Sequence, residues 1–345
     1  MGLFTDRTDE FGKNTVPVWF MRQAGRYHDH YQNLKKSHDF MTLCKDPELA
    51  KEVTMGPMEE FKFDAAILFS DLLFPLEQLG LGLEYRPGPI LEKKLETVQT
   101  VHDLKEVDSA ANFYDFQGKA CTLLRETLAP NKTLLGFVGA PFTLYTYAVE
   151  GSHSGALYQS KLGLYDGRWD AFLEKLIPNL LEEMRIQAKG GADAMCLFDT
   201  ASGELCFDDF KNFLLPALKT VTSAFKKEFP DKKIIYYSKF THMHYLREIQ
   251  DDNIDVLGVD WRMDLASVLN EFSNDYYIQG NLEPAYLGLP WETLEKKWMS
   301  LYQGLVSNNC DLSKWICGLG HGCLRWIPQE NVKNSVELIQ REFKY

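Results

Sequence analysis

Residues 171–200, AFLEKLIPNLLEEMRIQAKGGADAMCLFDT, hold in one stretch the pattern that decides the fold. The first twenty carry apolar side chains at helical spacing and run out at Gly190-Gly191, a helix stop. AMCLF (194–198) then follows as an unbroken apolar run. A run without polar alternation fits a strand buried on both faces, which is the environment of a parallel sheet. The run ends abruptly in Asp199 and Thr200.

The same grammar recurs outward in both directions. AAILFS (65–70), LLGFVG (134–139), KIIYYS (233–238), DVLGVD (255–260), YYIQG (276–280) and WICGL (315–319) are further short apolar runs separated by longer helical or polar stretches. Alternating strands and helices allow a doubly wound sheet or a (β/α)8 barrel. Several runs end in a chemically active residue: Asp71, Asp199, Asp260 and His321. Polar groups supplied by many strand ends favour the barrel, where they meet at one mouth. The expectation is an α/β chain with a distorted TIM-type (β/α)8 barrel, one domain over residues 1–345, with a polar N-terminal extension at 1–15.

Composition narrows the class. The chain has 345 residues, 45% hydrophobic and 25% charged, as in ordinary globular enzymes. A net charge of −12 argues against nucleic acid and anionic membrane as partners. No apolar stretch reaches membrane-spanning length, and the first residues lack the apolar segment of a secretory signal. Seven scattered cysteines without a CxxC pair read as reduced thiols in a cytoplasmic protein.

Five segments carry chemistry. PVWFMRQAGRY (17–27) places Arg22 and Arg26 four apart among apolar neighbours. Guanidinium forks bind carboxylates bidentately, although such a pair can equally bridge surface acids. In FDAAILFSDLLFPLEQLG (63–80), Asp71 is either a ligand-facing carboxylate or a helix N-cap. GFVGAPFTLYTYAVEGSHS (136–154) breaks at Gly139 and Pro141 and continues with Phe142, Tyr145 and Tyr147, aromatics that suit a core or a pocket edge. LFDTASG (197–203) and GLGHGCLRWIP (318–328) complete the set; in the last, glycines flank His321. A zinc site built from His242, His244 and Cys317 shows only three ligands, and alternate histidines share a face only in a strand. A zinc site there is therefore not expected.

PVWFMRQAGRY resembles the N-terminal signature of the uroporphyrinogen decarboxylase family, and GFVGAPFTLYTYAVEG resembles its second. FSDLL, LFDTASG, QGNLEP (279–284) and LGHG match further landmarks in family order. The resemblance runs from about Val16 to the C-terminus. It implies a distorted (β/α)8 barrel, a homodimer and a cofactor-free carboxy-lyase acting on uroporphyrinogen. It further implies that Asp71 holds the pyrrole N–H groups and that Arg22 and Arg26 engage substrate carboxylates. Gln23, Ala24 and Gly25 line the site with them, as do Tyr147, Thr200 and His321, while Ile67 and Phe137 give apolar wall. Asp71, Arg22, Arg26 and His321 form the catalytic set.

Four departures stand out. Thr200 replaces a usual Ser but keeps the hydroxyl. His28-Asp29-His30 stands where Leu-Pro-Glu is usual, Cys323-Leu324-Arg325-Trp326 follows LGHG, and Lys45 replaces a frequent Arg. The rival readings are a zinc-dependent corrinoid or thiol methyltransferase of the same superfamily and a non-catalytic tetrapyrrole-binding protein. The first wants a His-x-Cys zinc set, where this chain reads His242-Met243-His244. The second could dispense with Asp71.

Overall fold

The computed structural model describes residues 2–4, 14–86, 88–107 and 110–345. Nine strands occur among them: β1 (Ala65–Ile67), β2 (Glu84–Tyr85), β3 (Pro89–Ile90), β4 (Thr133–Gly139), β5 (Ala194–Asp199), β6 (Lys233–Ser238), β7 (Val256–Gly258), β8 (Tyr277–Leu282) and β9 (Trp315–Leu319). All but the small antiparallel β2–β3 hairpin belong to one seven-stranded sheet. The chain groups into two compact units, each assembled from separated stretches.

The first unit comprises residues 1–69, 123–135 and 255–345. Here β1 pairs in parallel with the first half of β4, Ala65 opposite Thr133, and β8 pairs in parallel with both β7 and β9. Val16–Trp19 adds an extended stretch outside the expected strands. Cys317 N donates to the Pro17 carbonyl at 2.8 Å and Trp19 N to the Cys317 carbonyl at 3.3 Å. On its other side, Asp64 N donates to the Val18 carbonyl at 3.0 Å, and Val18 N returns a 3.0 Å bond to the Asp64 carboxylate. The segment thus runs between β9 and Asp64, the residue before β1. Asp64 is fully buried there, and Lys132 Nζ reaches its second oxygen at 3.0 Å.

The second unit comprises residues 70–122 and 136–254. β5 and β6 pair in parallel along their whole length, Ala194 opposite Lys233. β4 and β5 are buried at every position, as continuous apolar runs require. Helix Arg168–Lys189 buries a face that includes Trp169, Phe172, Leu176, Leu180 and Met184.

The fold class is α/β of the TIM type, as expected. Expected strand bounds hold for β6 and β9 and to within a residue for β4 and β5. AAILFS stops short at Ile67. Beyond it Phe69 N donates at 2.9 Å to Thr54 Oγ1, a helix side chain, rather than to a strand. Most of the expected 1–15 extension lies outside the described residues. Within it, Leu3 is buried and its N–H donates to Thr133 Oγ1 at 2.8 Å. No helix among the described residues is long and apolar enough to cross a membrane, and all seven cysteines are free thiols.

Candidate active site

The expected site residues fall in both units. In the first, the chain leaves β9's side at Met21 and turns irregularly through residue 27, so Arg22 and Arg26 do not share a helix face. Arg22 has φ +60°, a left-handed backbone that non-glycine residues rarely adopt. The turn is pinned from three sides. Gln23, buried, donates through Nε2 to the Ala65 carbonyl at 2.9 Å. Tyr27 OH donates to the Gln23 carbonyl at 2.6 Å, and Cys323 N donates to the Met21 carbonyl at 2.9 Å. Gln32 Nε2 also donates to the Arg26 carbonyl. Buried anchors at 23 and 27 leave the guanidinium-bearing residues Arg22 and Arg26 exposed. Ala24 packs against Tyr31, Leu43 and Val53, and Gly25 turns back on the Arg22 carbonyl.

The LGHG loop fits this turn closely. A Cβ at Gly322 would come within 2.4 Å of Arg22 Cδ, so only glycine leaves the arginine its place. A Cβ at Gly320 would come within 2.3 Å of Trp261 N. His321 between them is half-buried, and its ring stacks on Trp261 with centroids 6.4 Å apart. Arg262 covers the indole at 4.2 Å and donates through NH1 to the fully buried Asp260 at 3.0 Å. Trp261 was not singled out in the sequence, although it directly follows the noted Asp260. Ile67, at the end of β1, is buried.

Two of the departures are structural here. Burial pushes the Cys323 thiol up to about 12, with a hydrogen bond to Tyr27 and the Arg22 charge pulling the other way, so it is an inert partner of Tyr27. His28 is fully buried, bonded through Nε2 to Glu60 at 2.7 Å and packed on Phe61.

In the second unit Asp71 is half-buried in an irregular stretch beyond β1. Its Oδ1 accepts the Leu73 N–H at 2.8 Å, just ahead of helix Phe74–Gln78. The N-cap position of that helix is Leu73, without a side-chain cap bond, so Asp71 is not its N-cap; its Oδ1 holds the turn that precedes the helix. Phe137 lies in β4, its ring 5.7 Å from that of Phe198. Tyr147, on helix Pro141–Glu150, meets His153 Nδ1 at 2.6 Å through its hydroxyl. His153 is a polar neighbour that the GSHS stretch contained without marking its role. Phe142 and Tyr145 from the same helix pack on Trp169 and belong to the core.

Thr200 is half-buried just past β5. Its neighbour Asp199 is buried, with Thr143 OH on one oxygen at 2.8 Å and Tyr236 OH on the other at 2.9 Å. Burial raises its carboxyl to about 6 against those hydrogen bonds. His242 precedes helix Met243–Leu246 and His244 lies in it, so the pair is not on a strand. Among the described residues no group of three or more His, Cys, Asp or Glu side chains is arranged to hold a metal ion.

The chain is 35% identical over 328 residues to the uroporphyrinogen decarboxylase of Pelobacter propionicus, covering 94% of each chain. It is 36% identical over 329 residues to that of Trichlorobacter lovleyi, again covering 94% of each. Among solved structures it resembles a methyltransferase from Methanosarcina mazei, with a TM-score of 0.71, 16% identity and 94% and 93% of the two chains covered. A B12-independent methionine synthase from Shewanella follows at a TM-score of 0.55, 10% identity and 98% and 96% coverage. At those identities the structural likeness speaks to the fold alone. A sequence profile for uroporphyrinogen decarboxylase (URO-D) matches residues 12–342. The chain therefore belongs to the uroporphyrinogen decarboxylase (URO-D) family.

Proposed function

We propose that this chain converts the four acetate side chains of uroporphyrinogen III to methyl groups, giving coproporphyrinogen III. The observation that carries the reading is the pinned turn at Arg22–Arg26: two exposed arginines on a backbone fixed by Gln23, Tyr27 and Cys323. A fixed pair of guanidinium forks is a means of binding carboxylates that an acidic protein otherwise repels.

Losing CO2 from an acetate leaves an electron pair on carbon, and the substrate's own pyrrole can accept it. Protonation of a ring α-carbon gives an iminium-like cation conjugated to the side chain. The C–C bond to the carboxylate then breaks, CO2 leaves, and its electron pair neutralises the ring. A second proton then adds to the exocyclic carbon to make the methyl, and the ring α-carbon gives up the first proton to restore the pyrrole, so one proton is consumed for each CO2 released. Asp71 is assigned to the pyrrole N–H groups, where a negative charge favours the developing cation. Arg22 and Arg26 are assigned to carboxylates. His321 or a bound water is assigned as proton donor because an arginine, with a pKa above about 12, is too weak an acid near neutral pH. Gln23, Ala24, Gly25, Tyr147, Thr200, Ile67 and Phe137 are assigned to substrate contact. The reading includes one barrel domain working as a cytoplasmic homodimer without cofactor or metal.

Anaerobic incubation of the purified protein with uroporphyrinogen III, followed by product analysis, tests it. Stepwise appearance of hepta- to tetracarboxylate products is expected, unchanged after exhaustive chelation. No product, or one tightly bound zinc per chain whose removal stops turnover, overturns it.

A further inference from the structure

A second carboxylic acid lies behind Asp71 in the second unit. Glu183, on helix Arg168–Lys189, is 1% exposed. Its Oε1 accepts from Gln117 Nε2 at 2.8 Å, and its Oε2 has no hydrogen-bond partner among the described residues. Burial pushes this carboxyl well above the usual range, the Gln117 bond opposes that, and the nearby negative charge of Asp71 adds to it. Both the burial and the Asp71 charge thus disfavour the charged form of this acid. None of the roles assigned above uses it.

The bonds around it have a defined direction. Gln187, one turn on from Glu183, uses its amide as a stand-in for a strand. Phe137 N donates to Gln187 Oε1 at 2.8 Å, and Gln187 Nε2 donates to the Phe137 carbonyl at 3.0 Å. That fixes which end of the Gln187 amide is the donor. Its Nε2 also donates to Gln117 Oε1 at 3.2 Å, which fixes Gln117 in turn. Gln117 must then point its NH2 the other way, and both protons are used there: one to Glu183 Oε1 at 2.8 Å, one to Ser70 Oγ at 3.0 Å. An amide has two N–H donors, so neither glutamine can flip without breaking several bonds. The chain of bonds ends at Ser70, the residue before Asp71.

We propose that Glu183 is a positioning residue for Asp71. By accepting from Gln117 it holds that amide against Ser70, and so fixes the turn in which Asp71 Oδ1 accepts the Leu73 N–H. The proposal rests on the role given to Asp71 above, but its geometry can be tested without substrate.

The test uses Glu183→Gln, which keeps an acceptor oxygen, and Glu183→Met, which fills similar space without one. Leu73 amide exchange reports the Asp71 turn directly. Protection at Leu73 is expected to be unchanged in E183Q and to fall about tenfold in E183M, the worth of one neutral hydrogen bond. With uroporphyrinogen III as substrate, at a temperature well below melting, kcat of E183M is expected to fall about tenfold with KM within twofold, and E183Q to match wild type. Ser70→Ala added to E183M should lower kcat no further, because both act through one link. Should E183M fail to fold, S70A alone reads the same link at Leu73 and in kcat. Unchanged Leu73 protection, wild-type kcat in an E183M protein of lowered melting temperature, or additive losses each overturn the proposal. A wild-type protein without turnover would overturn the proposed function instead, and Leu73 exchange would still decide the positioning link.

Discussion

Asp71 and Asp199 look alike in the sequence, each closing an apolar run, and the structure treats them as opposites. Asp199 is buried, with hydroxyls of Thr143 and Tyr236 on its two oxygens. Asp71 is half-buried, with one oxygen on the Leu73 N–H. Arginines divide the same way. Arg168 is buried and spends its guanidinium on Asp166 and on the carbonyls of Leu95 and Gln159, whereas Arg22 and Arg26 are exposed. The difference teaches that residue type at a strand end or turn does not fix a role. What separates the pairs is burial: Asp199 and Arg168 are enclosed with their partners, whereas Asp71 is half-buried and Arg22 and Arg26 are exposed.

The largest expected effect breaks or upholds that contrast directly. Asp71→Asn keeps an acceptor for Leu73, so the melting temperature should hold, but the charge is gone. Losing one preorganised electrostatic contact lowers kcat on the order of 10²–10³. Asp71→Glu, with the charge displaced by a methylene, should keep partial activity. Asp199→Asn in the same assay should stay within severalfold of wild type. Equal losses in D71N and D199N would erase the distinction, and wild-type turnover in D71N would leave Asp71 a turn-former only.

The arginines come next. Arg22→Lys and Arg26→Lys keep charge but lose the fork, a change worth about 1.5–3 kcal/mol, or roughly ten- to more than a hundredfold in kcat/KM. Arg168→Lys should instead lower the melting temperature, because buried carbonyls lose their donors, and leave kcat/KM of the folded fraction alone. Wild-type kinetics in R22K and R26K would reduce both to surface charges.

Asp199 also carries a pH signature. Its carboxyl near 6 when folded lies above the unfolded value of about 3.9, so the folded chain holds the proton more tightly. Its contribution to stability is therefore fully present below about pH 4, is lost as pH rises through about 6, and is level above that. The span is about 3 kcal/mol at most. Denaturant unfolding of wild type and D199N from pH 4 to 7 should show this loss in wild type only. Parallel curves would mean that Asp199 is ionised throughout.

How much was legible follows from the range of the interactions. β5 and β9 could be read because burial on both faces writes an unbroken apolar run into the local sequence. The end of β1 could not, because the group that takes the Phe69 N–H is Thr54, on a preceding helix. The extended stretch Val16–Trp19 was not legible because its partners are Asp64 and Cys317, distant in sequence. The contrast between the two aspartates was invisible for the same reason: Thr143 and Tyr236 lie 56 and 37 residues from Asp199. Arg22 and Arg26 were legible as a pair but not as a turn, since Gln23 and Tyr27 between them supply the anchors. Glu183 reads as one more helix-surface acid until the burial of its face is known.

The smallest expected effect is the most local. Gly322→Ala changes no charge, no hydrogen-bonding group and no buried polar atom. Its only consequence is a methyl whose carbon would sit 2.4 Å from Arg22 Cδ and 2.7 Å from Cγ. A long flexible side chain can yield at little cost in stability, so the melting temperature should barely move. Yielding nevertheless shifts the guanidinium, and a fork loses strength quickly with misalignment. If Arg22 works because its position is fixed, G322A should raise KM severalfold and leave kcat within twofold. The effect should also disappear in an R22K background, where the fork is already gone and the shorter contact has less to spoil. A KM increase of the same size in R22K would place the cost of the methyl elsewhere in the loop, at His321 or Cys323. An unchanged KM in the wild-type background would show that Arg22 tolerates displacement, and that the pinned turn serves the fold more than the ligand.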